Sequence, residues 1–297
     1  RAGRVRMVDK MGNLLPTPIA TIDDVKQIGE GGLMGIAIHP DFSKNHFVYL
    51  YYTYANNSGR TLNRVARFKF EENKLFEKTI IVDAIPGALF HNGGRIKFGP
   101  DGFLYITTGD SQNPSLSQNK NSLAGKILRV KDDGKPAPNN PYGSRVFSYG
   151  HRNPQGITWD TSGRLFATEH GASTMDELNI INIGKNYGWP VISGNQLQTG
   201  MESAIIQSGN DTWAPSGAAY LNKSIFFAGL RGRALYEAII DGHNVTLKEH
   251  LKGEVGRIRE VIVGPDNLLY ITTSNRDGRG TPGSLDDKII RVNPDKL

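Results

Sequence analysis

The sequence of 297 residues contains no cysteine, which excludes disulfide bonds, thiolate metal sites and a cysteine nucleophile. It also has no apolar run of about 18 residues, the length that a membrane-spanning helix requires, so no membrane span is expected. Runs of basic residues and aromatic-basic modules are missing too. We therefore expect no nucleic-acid partner, although the net charge is +6.

A convincing helical period is absent as well. Glycine is abundant, with 35 residues, and this indicates many tight turns. One unit recurs, because Gly-Pro-Asp-Gly-Phe-Leu-Tyr-Ile-Thr-Thr at 99–108 nearly matches the segment at 264–273. Weaker copies lie at 159–168 and 39–52. Each copy joins a short apolar strand to an alternating strand through a turn, which is the pattern of a β-hairpin.

The repeats predict a set of strands in a fixed order. The five predicted hairpins are 34–53, 95–108, 156–168, 217–228 and 258–273. Third strands with apolar-polar alternation follow at 65–70, 126–130, 178–183, 234–239 and 288–292, and a sixth copy, 3–8, opens the chain. Outer fourth strands are predicted at 79–83, 145–149 and 245–250.

This spacing, about 40 to 60 residues between copies, matches propeller blades of four strands. We therefore predict an all-β, six-bladed β-propeller of four-stranded antiparallel blades, forming a single domain over residues 1–297. Since only five hairpins accompany six third strands, we expect the first blade to be incomplete, with its inner hairpin absent from this chain. A β-sandwich or two stacked barrels is the alternative, and the repeated Pro-Asp-Gly hairpins favour the propeller.

Loops next to the inner strands of a propeller ring its axis on one face, so polar residues there are expected to converge on one pocket. His91, in the segment His-Asn-Gly-Gly-Arg, precedes an inner strand, and Asp110 follows the strand paired with it. Such a carboxylate can orient the imidazole for proton transfer. The alternative is a capped loop in which Asp110 accepts hydrogen bonds from turn amides.

The next hairpin carries two further polar segments. Gly-His-Arg-Asn-Pro-Gln-Gly at 150–156 places Arg152 and Asn153 before its inner strand, although an Asn-Pro turn with a solvent-exposed arginine is the simpler interpretation. Glu-His-Gly-Ala at 169–172 ends the paired strand. It offers backbone carbonyls and a carboxylate, which suit a hard cation such as Ca²⁺.

Arginines mark the start of the last hairpin. Arg257 and Arg259 are two residues apart, so both side chains are expected on one side of a strand. Paired arginines in a partly buried place favour an anion with several carboxylates. Arg231, before the third strand of the preceding blade, is expected to join them. Together these residues predict a pocket for a flat, polyanionic, metal-binding cofactor.

Six segments in their order resemble the soluble glucose/sorbosone dehydrogenase family: 31–42, 91–95, 150–156, 176–179, 186–190 and 256–260. The resemblance covers nearly the whole chain. It implies a six-bladed propeller that uses pyrroloquinoline quinone (PQQ) and calcium. It also implies oxidation of aldose sugars at C1 to lactones, an electron acceptor that it leaves unknown, and a periplasmic or secreted location.

The resemblance also implies roles for single residues. His91 resembles the general base for the sugar hydroxyl, and Asp110 resembles its acidic partner. Arg152 resembles the arginine beside the reacting quinone oxygens, and Asn153 resembles a cofactor ligand.

The remaining matches concern the cofactor and the metal. The carbonyls of Gly171 and Ala172 resemble the calcium ligands, although the family has proline in place of Ala172. Arg257 and Arg259 resemble the clamp on the cofactor carboxylates.

Two further positions depart from the family pattern. Glu30 stands near the substrate where better-known members have glutamine, and Arg231 stands where the cofactor-binding residue is often lysine.

Two other functions stay open. A non-enzymatic carbohydrate-binding or interaction propeller would have no need for the histidine and arginines together. A hydrolase or lactonase would need an axial calcium held by several carboxylates, and the chain offers fewer of these than of arginines.

Overall fold

A computed structural model of the protein describes residues 1–242 and 244–297. The chain forms two compact units, Arg1–His151 and Arg152–Leu297. Regular structure in the described residues is antiparallel strand apart from two four-residue helices and two short 3₁₀ helices. None of these helices is long and apolar enough to cross a membrane.

The unit Arg1–His151 contains ten strands. A short ladder pairs β1 (Arg4–Val5) with β2 (Ala20–Thr21). The first four-stranded sheet, in the order β3-β4-β5-β6, consists of β3 (Leu33–Ile38), β4 (Phe47–Ala55), β5 (Thr61–Glu71) and β6 (Lys74–Pro86). The second, in the order β10-β9-β8-β7, consists of β7 (Ile96–Phe98), β8 (Leu104–Thr108), β9 (Lys126–Val130) and β10 (Val146–Tyr149). The connections contain α1 (Phe42–Asn45), α2 (Ser115–Gln118) and a 3₁₀ turn (Pro141–Gly143).

The described residues of the unit Arg152–Leu297 form eleven strands in three sheets. The third sheet, in sequential order, consists of β11 (Pro154–Trp159), β12 (Leu165–Glu169), β13 (Glu177–Ile181) and β14 (Ile206–Gln207). The fourth consists of β15 (Pro215–Leu221), β16 (Ser224–Gly229), β17 (Leu235–Asp241) and β18 (Asn244–His250). The fifth has three strands, β19 (Ile258–Val263), β20 (Leu269–Thr273) and β21 (Ile289–Val292), and a 3₁₀ turn (Pro294–Lys296) follows it.

Sheets within a unit pack face to face, so their middle strands are buried on both faces. Strand β16 shows this in its alternation. Its Phe227 belongs to a core that includes Phe166 of the third sheet, whereas Phe226 belongs to a core that includes Val261 of the fifth sheet. Such packing of successive hairpin-built sheets is the blade arrangement of a propeller.

Glycine lets neighbouring first strands approach closely. A Cβ atom at Gly156 on β11 would lie 2.2 Å from the carbonyl oxygen of Ser216 on β15. In the other unit, a Cβ atom at Gly35 on β3 would lie 2.2 Å from the carbonyl oxygen of Gly94, just before β7. These positions explain why glycine recurs near the start of the predicted inner strands.

The predicted all-β propeller fold is confirmed, and each of the five predicted hairpins is present. The prediction of six blades is wrong, because the described residues form five blade sheets, four of them with four strands. The alternating segment 3–8 contributes the two residues of β1, whose partner β2 is equally short, and an isolated bridge from Val8 to Leu14. Its Val5 is instead buried in the core of the first sheet. The single domain stays a prediction.

Candidate functional site

The structure pairs His91 with Asp110. Nδ1 of His91 lies 2.8 Å from Oδ1 of Asp110. The Asp110 side chain is fully buried, whereas the His91 ring keeps 21% of its surface exposed. The same carboxylate oxygen accepts a hydrogen bond from the amide of Gln112 at 2.8 Å. Asp110 therefore both orients the imidazole and caps its own turn, so the two interpretations of the sequence hold at once.

This contact selects one tautomer of His91. A buried carboxylate accepts hydrogen bonds, so Nδ1 carries the hydrogen that it donates to Asp110. In the neutral ring, Nε2 is then the nitrogen with the lone pair. A ring in this state can take a proton from a hydroxyl group placed at Nε2.

Buried amides hold the loop that carries His91. His91 itself has a left-handed backbone with φ of 59°. The next residue, Asn92, accepts hydrogen bonds through Oδ1 from the amide of Ala88 at 3.0 Å and from Nδ2 of Asn63 at 3.1 Å. Its carbonyl accepts a bond from the hydroxyl of Tyr51 at 2.8 Å. The sequence analysis missed this support, which comes from strands β4 and β5 of the first sheet.

Glu30 lies beside the same histidine. Its Oε2 accepts a hydrogen bond from the backbone amide of His91 at 3.4 Å. Its own amide donates to the carbonyl of Leu89 at 2.7 Å. The structure thus brings three of the predicted site residues together within the unit Arg1–His151.

In the unit Arg152–Leu297, Arg152 lies over carbonyl oxygens of the segment 169–172. Its Nη1 is 3.5 Å from the carbonyl of His170, and its Nη2 is 3.4 Å from the carbonyl of Ala172. The guanidinium carbon is 5.4 Å from the centre of the Trp189 ring, which is a cation–π distance. The Arg152 amide donates to the carboxylate of Glu169. Arg152 is therefore held by contacts and is not a solvent-exposed turn residue.

Asn153 and Gly171 are fixed in the same neighbourhood. Asn153 is buried, and its carbonyl accepts a bond from the His170 amide at 3.3 Å. The Gly171 amide donates to Oδ1 of Asp176 at 2.9 Å. The other oxygen of Asp176 accepts from the amide of Trp213 at 2.7 Å. Asp176 thus anchors the loop, and amide donors occupy both of its oxygens.

The donor set near Gly171 and Ala172 suits calcium in kind. It consists of backbone carbonyl oxygens with the carboxylate of Glu169 nearby, and hard oxygen donors are what Ca²⁺ prefers. Residues 1–242 and 244–297 contain no group of three or more His, Cys, Asp or Glu side chains that could hold a metal by themselves. Glu177 is paired with Glu169 across β12 and β13, and burial followed by that neighbouring charge raises the pKa of Glu177 to about 7. Of these two causes, only the charge of Glu169 has the sign that attracts a cation.

Arg257 and Arg259 meet at a carboxylate that the sequence analysis missed. Nη2 of Arg257 lies 3.0 Å from Oδ2 of Asp277, and Nη2 of Arg259 lies 3.9 Å from the same oxygen. Arg259 also donates to Oε1 of Gln155 at 3.1 Å. Asn275 accepts a bond from the Arg257 amide at 2.8 Å.

The prediction that both arginines share one side of a strand is wrong. Strand β19 begins at Ile258, so Arg257 precedes it. The register shifts between Ile258 and Glu260, which places Arg259 in a β-bulge. A bulge turns its extra residue out of the regular alternation. The two guanidinium groups come together through Asp277 instead.

Arg231 and Arg257 line one cavity of about 570 Å³. Its walls come from the β16–β17 turn, the β18–β19 connection and the β20–β21 loop, and its basic residues outnumber its acidic ones. Arg259 is not among the residues that line it. The size is within the range for small-molecule sites, and the charge suits a ligand with several carboxylates. PQQ fits both criteria.

Comparison with known proteins gives one consistent result. The sequence profile of the family described as Glucose / Sorbosone dehydrogenase matches residues 1–290. A structure of the PQQ-bound form of aldose sugar dehydrogenase from Streptomyces coelicolor shares 43% sequence identity with a TM-score of 0.92, over 98% of this chain and 87% of that one. The aldose sugar dehydrogenase of Escherichia coli is 29% identical over 90% of this chain and 81% of its own length.

A third relative matches a shorter stretch. Quinoprotein glucose dehydrogenase B of Acinetobacter calcoaceticus is 31% identical over 58% of this chain and 42% of its own length.

Proposed function

The chain belongs to the glucose/sorbosone dehydrogenase family, and on that premise we propose that it is a PQQ- and calcium-dependent aldose sugar dehydrogenase. The substrate is an aldose, oxidised at C1 to the lactone. The observation that carries the proposal is the partly exposed His91 ring with Nδ1 held 2.8 Å from the buried Asp110 carboxylate. Such a pair can act as a general base that removes the proton of a hydroxyl group.

His91 takes the proton of the sugar hydroxyl at Nε2. Asp110 keeps Nδ1 protonated and balances the positive charge that the ring acquires. Glu30, which accepts a bond from the His91 amide, offers a carboxylate acceptor for a second sugar hydroxyl. The substrate is thus positioned through its hydroxyl groups, the usual means of polar specificity.

When bound, PQQ supplies the two-electron acceptor for the C1 hydride, and calcium supplies Lewis acidity at the quinone. The carbonyls of Gly171 and Ala172 would hold the calcium. Arg152 and Asn153 would contact the quinone side, where a fixed guanidinium stabilises negative charge. Arg152 is preorganised for this by the Trp189 ring and the carbonyl of His170.

Arg231, Arg257 and Arg259 would hold the carboxylates of PQQ. Arginine is suited to this because its planar fork matches carboxylate geometry. The basic cavity that Arg231 and Arg257 line supports this assignment.

A reconstitution experiment tests the proposal. The folded protein is titrated with PQQ in the presence of Ca²⁺ while quinone absorbance is followed, and dye reduction is then measured with aldoses as donors. We expect saturable PQQ binding, dye reduction that a calcium chelator abolishes, and a lactone product. A protein that binds aldoses but reduces no dye when loaded would be a carbohydrate-binding propeller instead.

We also propose a periplasmic or secreted location, on the basis of the family resemblance. The dye in this experiment stands in for the physiological electron acceptor, which is a separate question.

A further inference from the structure

Asp277 is in contact with both arginines of the clamp, Arg257 and Arg259. Its Oδ2 accepts hydrogen bonds from Nε of Arg257 at 3.2 Å and from Nη2 of Arg257 at 3.0 Å. Ser274 donates to the same oxygen at 3.2 Å, and the Arg279 amide donates to Oδ1 at 2.9 Å. Oδ2 of Asp277 therefore accepts from three donors and Oδ1 accepts from one.

Hydrogen bonds fix the guanidinium group of Arg257 along the edge formed by Nε and Nη2. Asp277 occupies Nε and Nη2, and the carbonyl of Leu230 accepts from Nη1 at 3.2 Å. Within the described residues these contacts use three of the five N–H groups of the guanidinium. One N–H on each terminal nitrogen remains, and Arg257 lines the basic cavity. Carboxylate ligands recognise pairs of N–H groups on the terminal nitrogens of arginine.

Arg259 is more exposed to solvent than Arg257. Its side chain keeps 34% of its surface exposed, compared with 9% for Arg257. It lies 3.9 Å from Asp277 on one side and donates to Gln155 on the other. Asp277 is thus a carboxylate placed to set the distance between the two guanidinium groups.

The charge of Asp277 opposes an anionic ligand, which makes its role testable. Burial works against ionisation, but the Arg279 amide and the charge of Arg257 hold the pKa of Asp277 below its ordinary value. The side chain is therefore an anion next to a proposed site for a tricarboxylate. On charge alone, its removal should strengthen binding of the ligand.

We propose that Asp277 is the positioning residue of the arginine clamp, holding Arg257 so that its forked end faces the cavity and fixing the place of Arg259. This inference rests on the proposed function, because the clamp is defined by its ligand. It assigns Asp277 no contact with substrate or cofactor.

Two substitutions separate positioning from charge. Asp277→Asn removes the charge and, whichever way the amide is turned, places an NH₂ group against a donor. Asp277→Glu keeps the charge but moves the carboxylate by one methylene. We expect the dissociation constant for PQQ, measured by absorbance and calorimetry without sugar, to rise about tenfold or more in Asp277→Asn and several-fold in Asp277→Glu.

Asp266→Asn is the matched control. Asp266 belongs to the same sheet and pairs with Arg291 at 2.8 Å, at the β19–β20 turn. The substitution Asp266→Asn removes the same charge as Asp277→Asn, and we expect it to leave the PQQ affinity at the wild-type value. The thermal midpoint of each apo variant is measured in parallel, so that loss of fold is not mistaken for loss of affinity.

The outcomes are distinct. Wild-type protein that does not bind PQQ contradicts the proposed function itself. If the wild type binds and both Asp277 variants bind equally well or more tightly, the positioning role is wrong. Tighter binding by Asp277→Asn alone would show that the charge of Asp277, and not its position, governs the affinity. If Asp277→Asn does not fold, Asp277→Glu decides, because it retains the ion pair with Arg257.

Discussion

At the scale of single residues, Asp110 determines which nitrogen of His91 can act as a base. Replacement by asparagine keeps the size of the side chain but allows its NH₂ group to face the imidazole, which favours the wrong tautomer. We expect Asp110→Asn to lower kcat for aldose oxidation by about 10²–10⁴-fold, with little change in PQQ affinity. Steady-state dye reduction and a PQQ titration on the same sample measure both. A wild-type kcat in this variant would be incompatible with the dyad.

Lys126 is a second residue with a distinctive environment. It is fully buried, and its Nζ donates to the carbonyls of Leu116 at 2.9 Å, Ser117 at 3.0 Å and Ala124 at 2.6 Å. Burial lowers the pKa of Lys126 to about 7. The amine thus ties down the loop that follows Asp110.

This lowered pKa predicts a dependence of stability on pH. An unfolded lysine has a pKa of about 10.4, so between pH 7 and that value the unfolded state binds more protons than the folded one. The contribution of Lys126 to stability therefore rises with pH across this window. Relative to Lys126→Met, the free energy of unfolding of the wild type should gain up to about 1.4 kcal/mol per pH unit. Urea unfolding of both proteins from pH 7 to 9.5 measures this; parallel curves would argue against it.

At the scale of elements, the close approach of first strands in neighbouring sheets makes the fold sensitive to substitution. A Cβ atom at Gly156 would lie 2.2 Å from the Ser216 carbonyl and 2.5 Å from Oγ1 of Thr168. We expect Gly156→Ala to push β11 and β15 apart and to cost about 1–3 kcal/mol of unfolding free energy, measured by urea denaturation. Gly283→Ala is the control, because a Cβ atom there would meet nothing closer than 3.6 Å. Equal stabilities of the two variants would show that the strands tolerate separation.

The hairpins could be predicted from the sequence because a Pro/Asp/Gly turn between apolar segments is a local signal. Strand β14 (Ile206–Gln207) could not, since it pairs through two residues and shows no alternation. The β-bulges could not be predicted either, because they too depend on the pairing of strands. The register shift between Ile258 and Glu260 depends on how β19 meets β20, and no single residue type encodes it.

The candidate site likewise has residues whose contacts could be predicted from the sequence and residues whose contacts could not. His91 and Asp110 flank one hairpin, so their contact follows from the pairing of β7 with β8. Asp277 lies four residues beyond the end of β20, in a long loop whose path does not follow from strand alternation. A carboxylate between arginines in the segment Arg-Asp-Gly-Arg at 276–279 was the available signal.

At the scale of the whole molecule, the net charge of +6 and the basic cavity suit an anionic ligand. We expect the affinity for PQQ to fall as ionic strength rises from 0.01 to 0.15 M, because the Debye length shortens from about 30 to about 8 Å. Arg259→Gln should weaken binding and flatten this salt dependence, since one cationic contact is lost. Titrations at several salt concentrations test the point, and an affinity independent of salt would speak against an arginine clamp.

We propose that His91 is the base of a PQQ-dependent aldose oxidation. Comparison of the wild type with His91→Ala, both loaded with PQQ and Ca²⁺, tests this role of His91. Turnover with an aldose and PQQ occupancy are measured on the same samples. We expect equal occupancy and a turnover reduced at least about 100-fold in the variant. A fully loaded variant that oxidises aldoses at the wild-type rate would contradict the claim.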